Sequence, residues 1–301
     1  MSRVAVFGGA GFLGSHVADA LSAQGHEVLI IDRQPSPYLR PGQRQLTDDI
    51  LDRAAVSAAV AGCEFVYNFA GISDLEEAEQ RPLETVEANV LGNSILLEAC
   101  RQAGVRRYLF ASTIYVFSDA GSFYRASKQA CELFIESYQR VYGLEFSVLR
   151  YGSIYGPRAE RKNWIYKVLT QALVEGRITR QGNGEGIREY IHVADAARSS
   201  VEVLVPEYAN EFVTITGAQP MKIKDLLEMI REIMGNRIEI EYVPVTSEVH
   251  YQITPYSFRP RVGKRYLSRH YVDFGQGILD LLEEFHSSTG SVAPAEAPDS
   301  L

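Results

Sequence analysis

RVAVFGGAGFLGSHVADALSAQG, residues 3–25, reads as a buried strand, a tight turn and an amphipathic helix, in that order. RVAVF is a short apolar run suited to a strand covered on both faces. FLGSHVADALSAQG carries apolar residues at helical spacing and stops at Gly25. Between them Gly8, Gly11 and Gly14 recur at three-residue intervals. Each has its own physical task. Gly8 permits the tight turn, Gly11 keeps side-chain atoms away from whatever approaches the backbone, and Gly14 lets the helix pack closely on the sheet. The helix start then offers free N–H groups and the positive end of a dipole, a setting for a pyrophosphate. The plainer alternative is a strand-to-helix turn with no ligand.

Asp32 closes a second buried run, EVLIID at 27–32. A carboxylate at that strand end can accept hydrogen bonds from both ribose hydroxyls of an adenosine, and it repels a 2′-phosphate. Glycine turn and Asp32 together predict a dinucleotide cofactor, NAD in preference to NADP. Arg33 is the counter-signal, since a guanidinium can pair with a 2′-phosphate.

EFVYNFAG at 64–71, RRYLFAST at 106–113 and EFSVLRYG at 145–152 read as further strands. A long helix falls within 83–103 and another begins near Tyr124. Strands alternating with helices predict an α/β fold with a parallel sheet covered on both faces. The pattern then becomes less regular. It predicts a helix at 163–176, a short strand feeding a helix in REYIHVADAARSSVEVLV, a strand in EFVTITG, a helix in IKDLLEMIREIMG and a last helix near 273–286. Residues 287–301 are small, polar and Pro-containing, the composition of a disordered end.

Composition narrows the function. The 301 residues are 46% hydrophobic and 23% charged, with a formal net charge of −8. That charge argues against a general nucleic-acid binder, though a few local arginines suffice for an anionic small molecule. No apolar run reaches the length of a membrane span. The N-terminal run leads straight into the glycine turn and reads as a first strand, so a cytoplasmic protein is expected. Cys63, Cys100 and Cys131 are odd in number and match no metal or redox spacing. The six histidines form no pair at helical spacing, and no metal site is expected.

Further motifs follow in order: DDI at 48–50, NFAG at 68–71, AST at 111–113, Tyr124 with Lys128, RYGSIYGPR at 150–158 and REYIHVADAA at 188–197. With the glycine turn, they make the chain resemble the extended short-chain dehydrogenase/reductase family, in particular its nucleotide-sugar epimerases and dehydratases. The resemblance runs from residue 3 to about 200 with specific motifs, and weakly to about 285. It implies a doubly wound Rossmann domain, here 1–151 and 187–216, and a smaller, discontinuous C-terminal domain for a nucleotide-diphosphate sugar, here 152–186 and 217–286. The implied NAD contacts are Gly8, Gly11, Phe12, Leu13, Gly14, Asp32, Arg33, Asp49, Ile50, Phe69, Ala70, Gly71, Asn89, Tyr124, Lys128 and Tyr151. Among these, Asp49 and Ile50 flank the adenine, Ala70 and Gly71 line the cleft, and Asn89 lies near the active site. The helices containing 85–103 and 124–142 imply a homodimer through a four-helix interface.

Tyr124 and Lys128 are one helical turn apart and share a face. A free tyrosine titrates near about 10 and is a poor base at neutral pH. A nearby ammonium stabilises the phenolate and lowers that value. By the resemblance, Tyr124 takes the proton of a sugar hydroxyl, Lys128 supports it and binds the nicotinamide ribose, and Thr113 holds the reacting oxygen. Two departures stand out. Sugar 4,6-dehydratases carry an acidic pair directly after this Thr, where this chain has Ile114 and Tyr115. The decarboxylating relatives have a Glu there too. The loop SDAGSF, residues 118–123, is shorter than is common and lacks the usual proline before the Tyr.

On the substrate side the resemblance implies diphosphate contacts from Arg188 and Arg259, with Asn163 on the nucleotide side. Ser153 stands where the family often has Asn. A surface or salt-bridged arginine is the plainer reading of each guanidinium. The function implied is an NAD-dependent nucleotide-sugar epimerase acting at C4 through a transient 4-keto sugar. The alternative is a nucleotide-sugar 4-ketoreductase consuming NAD(P)H. A dehydratase, or a non-catalytic cofactor-binding protein on the same fold, ranks below both.

Overall fold

In the computed structural model, which describes residues 1–159, 161–217 and 220–244, the apolar runs pair into one parallel sheet. Its strands are β1 (Arg3–Phe7), β2 (Glu27–Asp32), β3 (Arg44–Thr47), β4 (Phe65–Asn68), β5 (Arg107–Thr113), β6 (Glu145–Tyr151) and, further along, β10 (Glu211–Ile215). Their order is β10-β6-β5-β4-β1-β2-β3, every neighbouring pair parallel. The chain winds outward one way through β2 and β3, then returns through β4 on the other side of β1. The crevice beyond the carboxyl ends of β1 and β4 is the topological switch point, where open α/β sheets bind ligands.

Helices cover both faces, as the unbroken apolar strands require. On one side α2 (Arg53–Val60), α5 (Gly92–Ala103) and α6 (Ser122–Tyr142) bury Val56, Leu96, Cys100 and Ile135 against the sheet. On the other, α1 (Phe12–Ala23) and α8 (Val193–Glu202) bury Val17, Leu21, Ala196 and Val201. Leu21 and Leu96 are fully buried, and truncating either to Ala costs about 2–5 kcal/mol. The short helices α3 (Leu75–Gln80) and α4 (Pro82–Thr85) lead towards α5.

The remaining strands stand apart from the large sheet. β7 (Ser153–Tyr155) and β11 (Pro220–Lys222) flank β9 (Ile187–His192), while β8 (Arg177–Gln181) pairs with β12 (Glu239–Val243). Between them α7 (Trp164–Thr170) and α9 (Ile223–Ile233) bury Val168, Ile178, Leu227 and Ile230 in a third core. The strand expected at 64–71 ends at Asn68, although Phe69 N still bonds to Phe7 O at 2.8 Å. The long helix expected within 83–103 carries a π-helical turn, Val86–Leu91, that joins α4 to α5. A second π-helical turn, Gln171–Glu175, ends the helix expected at 163–176. The helix at 273–286, the tail at 287–301 and Arg259 lie outside the described residues.

Candidate active site

The glycine turn is closed by contacts that leave no room for side chains. Gly8 adopts φ +74, and a Cβ there would lie 2.6 Å from Ala70 N. A Cβ at Gly14 would lie 2.2 Å from Gly8 O, so this glycine packs α1 onto the turn itself more than onto the sheet. A Cβ at Gly11 would meet only Gly8 O, at 3.3 Å, among the described atoms within 4 Å. Gly11 is the N-cap of α1, and no side chain caps that helix. Its first N–H groups are therefore donors for an anion. Phe12 and Leu13 are half-buried in the first turn, Phe12 edge-on to His16 at 6.2 Å.

Asp32 ends β2 beside this turn. Its Oδ2 accepts from Ala10 N and its Oδ1 from Gln34 N, both at 3.1 Å. A carboxylate oxygen holds a second acceptor position, so both remain able to bind hydroxyls. Arg33 is exposed next to it. Asp48 N bonds to Asp32 O at 3.0 Å, which brings Asp49 and Ile50 alongside. Asp49 Oδ1 accepts from Leu51 N at 2.9 Å, and Ile50 is buried against Gly92. Across the crevice Phe69 stacks on Tyr67 at 5.9 Å, and Asn68 Oδ1 accepts from Ala70 N at 3.1 Å. The absence of a side chain at Gly11, the uncapped helix start and the two Asp32 oxygens fit a dinucleotide.

Two of the expected contacts have their side chains engaged within the protein. Asn89 lies in the π-helical turn with its amide already engaged. Its Oδ1 accepts from Ile72 N at 2.7 Å, and its Nδ2 donates to Ile72 O and Ser127 Oγ, both at 2.9 Å. It clamps the Gly71–Ile72 turn to α6. Tyr151 is buried, and its hydroxyl meets Ser200 Oγ on α8 at 2.6 Å, inside the core.

Thr113 is the last residue of β5, and Tyr124 and Lys128 share the first turns of α6. The Thr113 side chain lies beside the Tyr124 hydroxyl. Thr113 Oγ1 accepts from Tyr115 N at 3.2 Å. Lys128 is buried; its Nζ donates to Ala111 O at 2.8 Å and sits 5.8 Å from the centre of the Tyr124 ring. Burial pushes the Tyr124 phenol up to about 12, with the Thr113 side chain opposing it. Burial also lowers Lys128, against the pull of Cys131 and Glu132. In the protein alone, burial sets the direction of the Tyr124 shift, and the lowering expected from Lys128 does not appear beside it. A half-buried phenol beside an ammonium that donates to a strand carbonyl stays protonated until further positive charge arrives.

A buried ion pair braces this site, and no motif announced it. Glu132, one turn beyond Lys128, accepts from Ser112 Oγ at 2.6 Å and from Arg150 Nε and Nη2 at 3.0 and 2.7 Å. The Arg150 guanidinium lies 4.5 Å from the Phe117 ring centre and 4.4 Å from that of Phe212. Side chains from β5, α6 and β6 are thus locked together next to Thr113. The signal available was the spacing Lys128–Glu132 on one helix face, but its partners lie 18 and 20 residues away in sequence.

Thr113 pairs in register with Tyr151, so Ser153 on β7 lies two residues beyond the same strand end. Ser153 pairs with Tyr190 of β9, the strand that carries buried Arg188. Arg188 donates to Ile187 O at 2.8 Å. The neighbouring Arg180 stacks over Trp164 at 5.4 Å, and burial, then Arg188, lowers its pKa. Asn163 caps α7 through Tyr166 N at 3.3 Å, and its Nδ2 donates to Ile154 O at 2.9 Å. Its side chain thus holds the chain between β7 and α7.

A dinucleotide cradle at the switch point of a parallel sheet, with a Thr–Tyr–Lys set at the next strand end, defines a nicotinamide-dependent enzyme architecture. The profile of the NAD dependent epimerase/dehydratase family matches residues 4–210, and the chain belongs to that family. A UDP-glucose 4-epimerase of Corynebacterium glutamicum is 27% identical over 277 residues, covering 80% of this chain and 83% of the relative. A dTDP-glucose 4,6-dehydratase of Streptomyces niveus is 25% identical over 329 residues, covering 99% and 96%. Among solved structures, the UDP-glucose 4-epimerase of Thermus thermophilus in complex with NAD has a TM-score of 0.76 at 27% identity, covering 87% of this chain and 95% of that one.

Proposed function

We propose that this protein is an NAD-dependent nucleotide-sugar epimerase acting at C4 through a transient 4-keto sugar. The observation that carries this reading is the buried Lys128 Nζ 5.8 Å from the Tyr124 ring centre, with Thr113 beside the phenol, in a site where Ile114 and Tyr115 replace an acidic pair. The UDP-glucose 4-epimerase relatives support it. NAD, when bound along Gly11, the start of α1 and Asp32, supplies a hydride acceptor, a hydride donor once reduced, and a positive ring charge. Tyr124 Oη takes the proton of the C4 hydroxyl and later returns it. Thr113, its Oγ1 fixed by Tyr115 N, donates to the same sugar oxygen and holds it in line. Lys128 favours the phenolate once formed. The 4-keto sugar turns its other face to the site before the proton returns. Ile114 and Tyr115 lack a carboxylate able to work an elimination across the outer sugar carbons, which places the dehydratase reaction lower.

Arg188, Ser153 and Asn163, with Arg259 beyond the described residues, form the nucleotide-diphosphate side of this proposal. Residues 152–186 and 217–286 make up its sugar-nucleotide domain. A homodimer is part of the reading, supported by exposed Leu133, Phe134, Val141 and Tyr142 on α6 and Leu83, Val86 and Leu91 near α4 and α5. Among the described residues no helix is long and apolar enough to cross a membrane. The three buried free cysteines are consistent with the cytoplasm. Exposed Arg33 supports the second reading, a 4-ketoreductase using NAD(P)H. The test is product analysis by NMR with UDP-glucose, UDP-galactose, UDP-N-acetylglucosamine, UDP-glucuronic acid and dTDP-glucose. The proposal expects one C4 epimer pair interconverted with no net consumption of added nicotinamide. Stoichiometric oxidation of NAD(P)H, or a dehydrated product, overturns it.

A further inference from the structure

Tyr115 touches both Thr113 and Tyr124. Its backbone N–H donates to Thr113 Oγ1 at 3.2 Å. Its ring meets the Tyr124 ring edge to face, with centroids 6.4 Å apart and planes at 75°. Behind the ring stands Gly121, at φ +96, where a Cβ would lie 2.8 Å from Tyr115 Cδ1 and 3.3 Å from Cγ. The missing side chain at Gly121 is therefore space that the Tyr115 ring uses. Gly121 is also the N-cap of α6, the helix that carries Tyr124 and Lys128. The short loop is tied down on the same side. Ser118 N bonds to Tyr115 O at 2.9 Å, and Arg125 Nη1 on α6 donates to Ser118 O at 2.7 Å. The ring is thus fixed by its own chain on one side and by the helix start on the other. Tyr124 sits near the start of that helix and packs against the ring.

We propose that Tyr115 is a positioning residue for the reaction: its ring, backed by Gly121, holds the Tyr124 phenol against Thr113. The proposal rests on the reading of Thr113 and Tyr124 as the proton-handling pair. It explains why a short loop suffices here, since one aromatic ring fills the space beside the phenol. The shape of the ring carries this task. A phenyl ring keeps the same edge-to-face contact, whereas a methyl group leaves Tyr124 free to swing. A displacement of about 1 Å at a reacting group costs about 100-fold in rate.

The experiment compares Tyr115→Ala, Tyr115→Phe and Tyr124→Phe with the wild-type holoenzyme, loaded with NAD and assayed for conversion of UDP-glucose to UDP-galactose. Tyr115→Ala is expected to lower kcat about 10- to 100-fold while KM stays within about threefold, because the ground-state sugar contacts survive. Tyr115→Phe restores most of that loss. Wild-type kcat in Tyr115→Ala, with Tyr124→Phe inactive, overturns the positioning role alone. A rise in KM without loss of kcat also overturns it, making the ring a wall of the sugar site. So does a Tyr115→Phe as impaired as Tyr115→Ala, which shifts the role to the hydroxyl. Wild-type turnover in Tyr124→Phe removes the site reading itself and the proposal with it. Tyr115→Leu replaces Tyr115→Ala should the smaller side chain fail to fold, with the same expected loss.

Discussion

Substituting Gly14 and Gly11 separately by Ala should split a single motif into a folding role and a binding role. At Gly14 the new methyl would lie 2.2 Å from Gly8 O, 2.9 Å from Gly8 C and 3.0 Å from Gly9 Cα. These are backbone atoms of a turn held by Ala70 and Ile31, so they have no rotamer to escape into. Overpacking of this kind costs about 1–3 kcal/mol, and Ala regains at most about 1 kcal/mol of helix propensity over Gly. Contacts so far inside van der Waals distance place the net loss near 2 kcal/mol or above, about 4–8 °C in melting temperature for a domain of this size. At Gly11 the nearest atom would be 3.3 Å away, and the backbone is extended at φ −76, ψ −178. Any residue adopts that conformation, so only the poorer N-cap and one tight contact remain, and Gly11→Ala should cost about 1 kcal/mol of apo stability or less, below the cost of Gly14→Ala. The methyl then points into the space a pyrophosphate needs, and the NAD dissociation constant should rise at least about tenfold, equivalent to about 1.4 kcal/mol. Differential scanning fluorimetry on the apo proteins and calorimetric titration with NAD separate the two effects. A Gly14→Ala protein that melts with the wild type, or a Gly11→Ala protein that binds NAD as tightly as wild type, refutes the reasoning.

Asp32→Ala should raise the NAD dissociation constant at least about tenfold and narrow the preference over NADP, read by titrating both nucleotides, because two ribose acceptors are lost. Glu132→Ala should lower stability by about 3–5 kcal/mol in urea unfolding, since it strands the Arg150 guanidinium among Phe117, Phe212 and the sheet. The two partners are only 16% and 9% exposed, so little solvent screening reduces that figure. Tyr124 should titrate near about 12 in the protein without substrate, seen as the ultraviolet difference between wild type and Tyr124→Phe. The unfolded chain releases this proton near about 10, so its contribution to stability is constant below about pH 10 and is lost as the pH rises towards about 12.

The central strands were legible because burial on both faces leaves them continuously apolar. RVAVF and EVLIID match β1 and β2 residue for residue. Edge strand β3, RQLT, was not legible, since it is half-exposed and carries no such run. The π-helical turn around Asn89 left no trace in periodicity, because a single wide turn shifts the helical phase without breaking it. Thr113, Tyr124 and Lys128 could be singled out from local spacing and motif. The brace of Ser112, Glu132 and Arg150, and the backing of Tyr115 by Gly121, depend on how β5, α6 and β6 meet. One-dimensional patterns do not carry that information. The rise of the Tyr124 pKa was not legible for a related reason: a nearby charge is visible in sequence, whereas the burial that raises the phenol is not.

The most direct test of the account is the turnover of Tyr124→Phe on the sugar nucleotide that the wild type epimerises, with NAD loading measured in the same sample. General acid–base catalysis of this kind contributes about 10²- to 10⁴-fold, so kcat should fall by at least about 100-fold while NAD stays bound and KM moves little. A Tyr124→Phe enzyme within about threefold of wild-type kcat would contradict the claim that this phenol handles the proton.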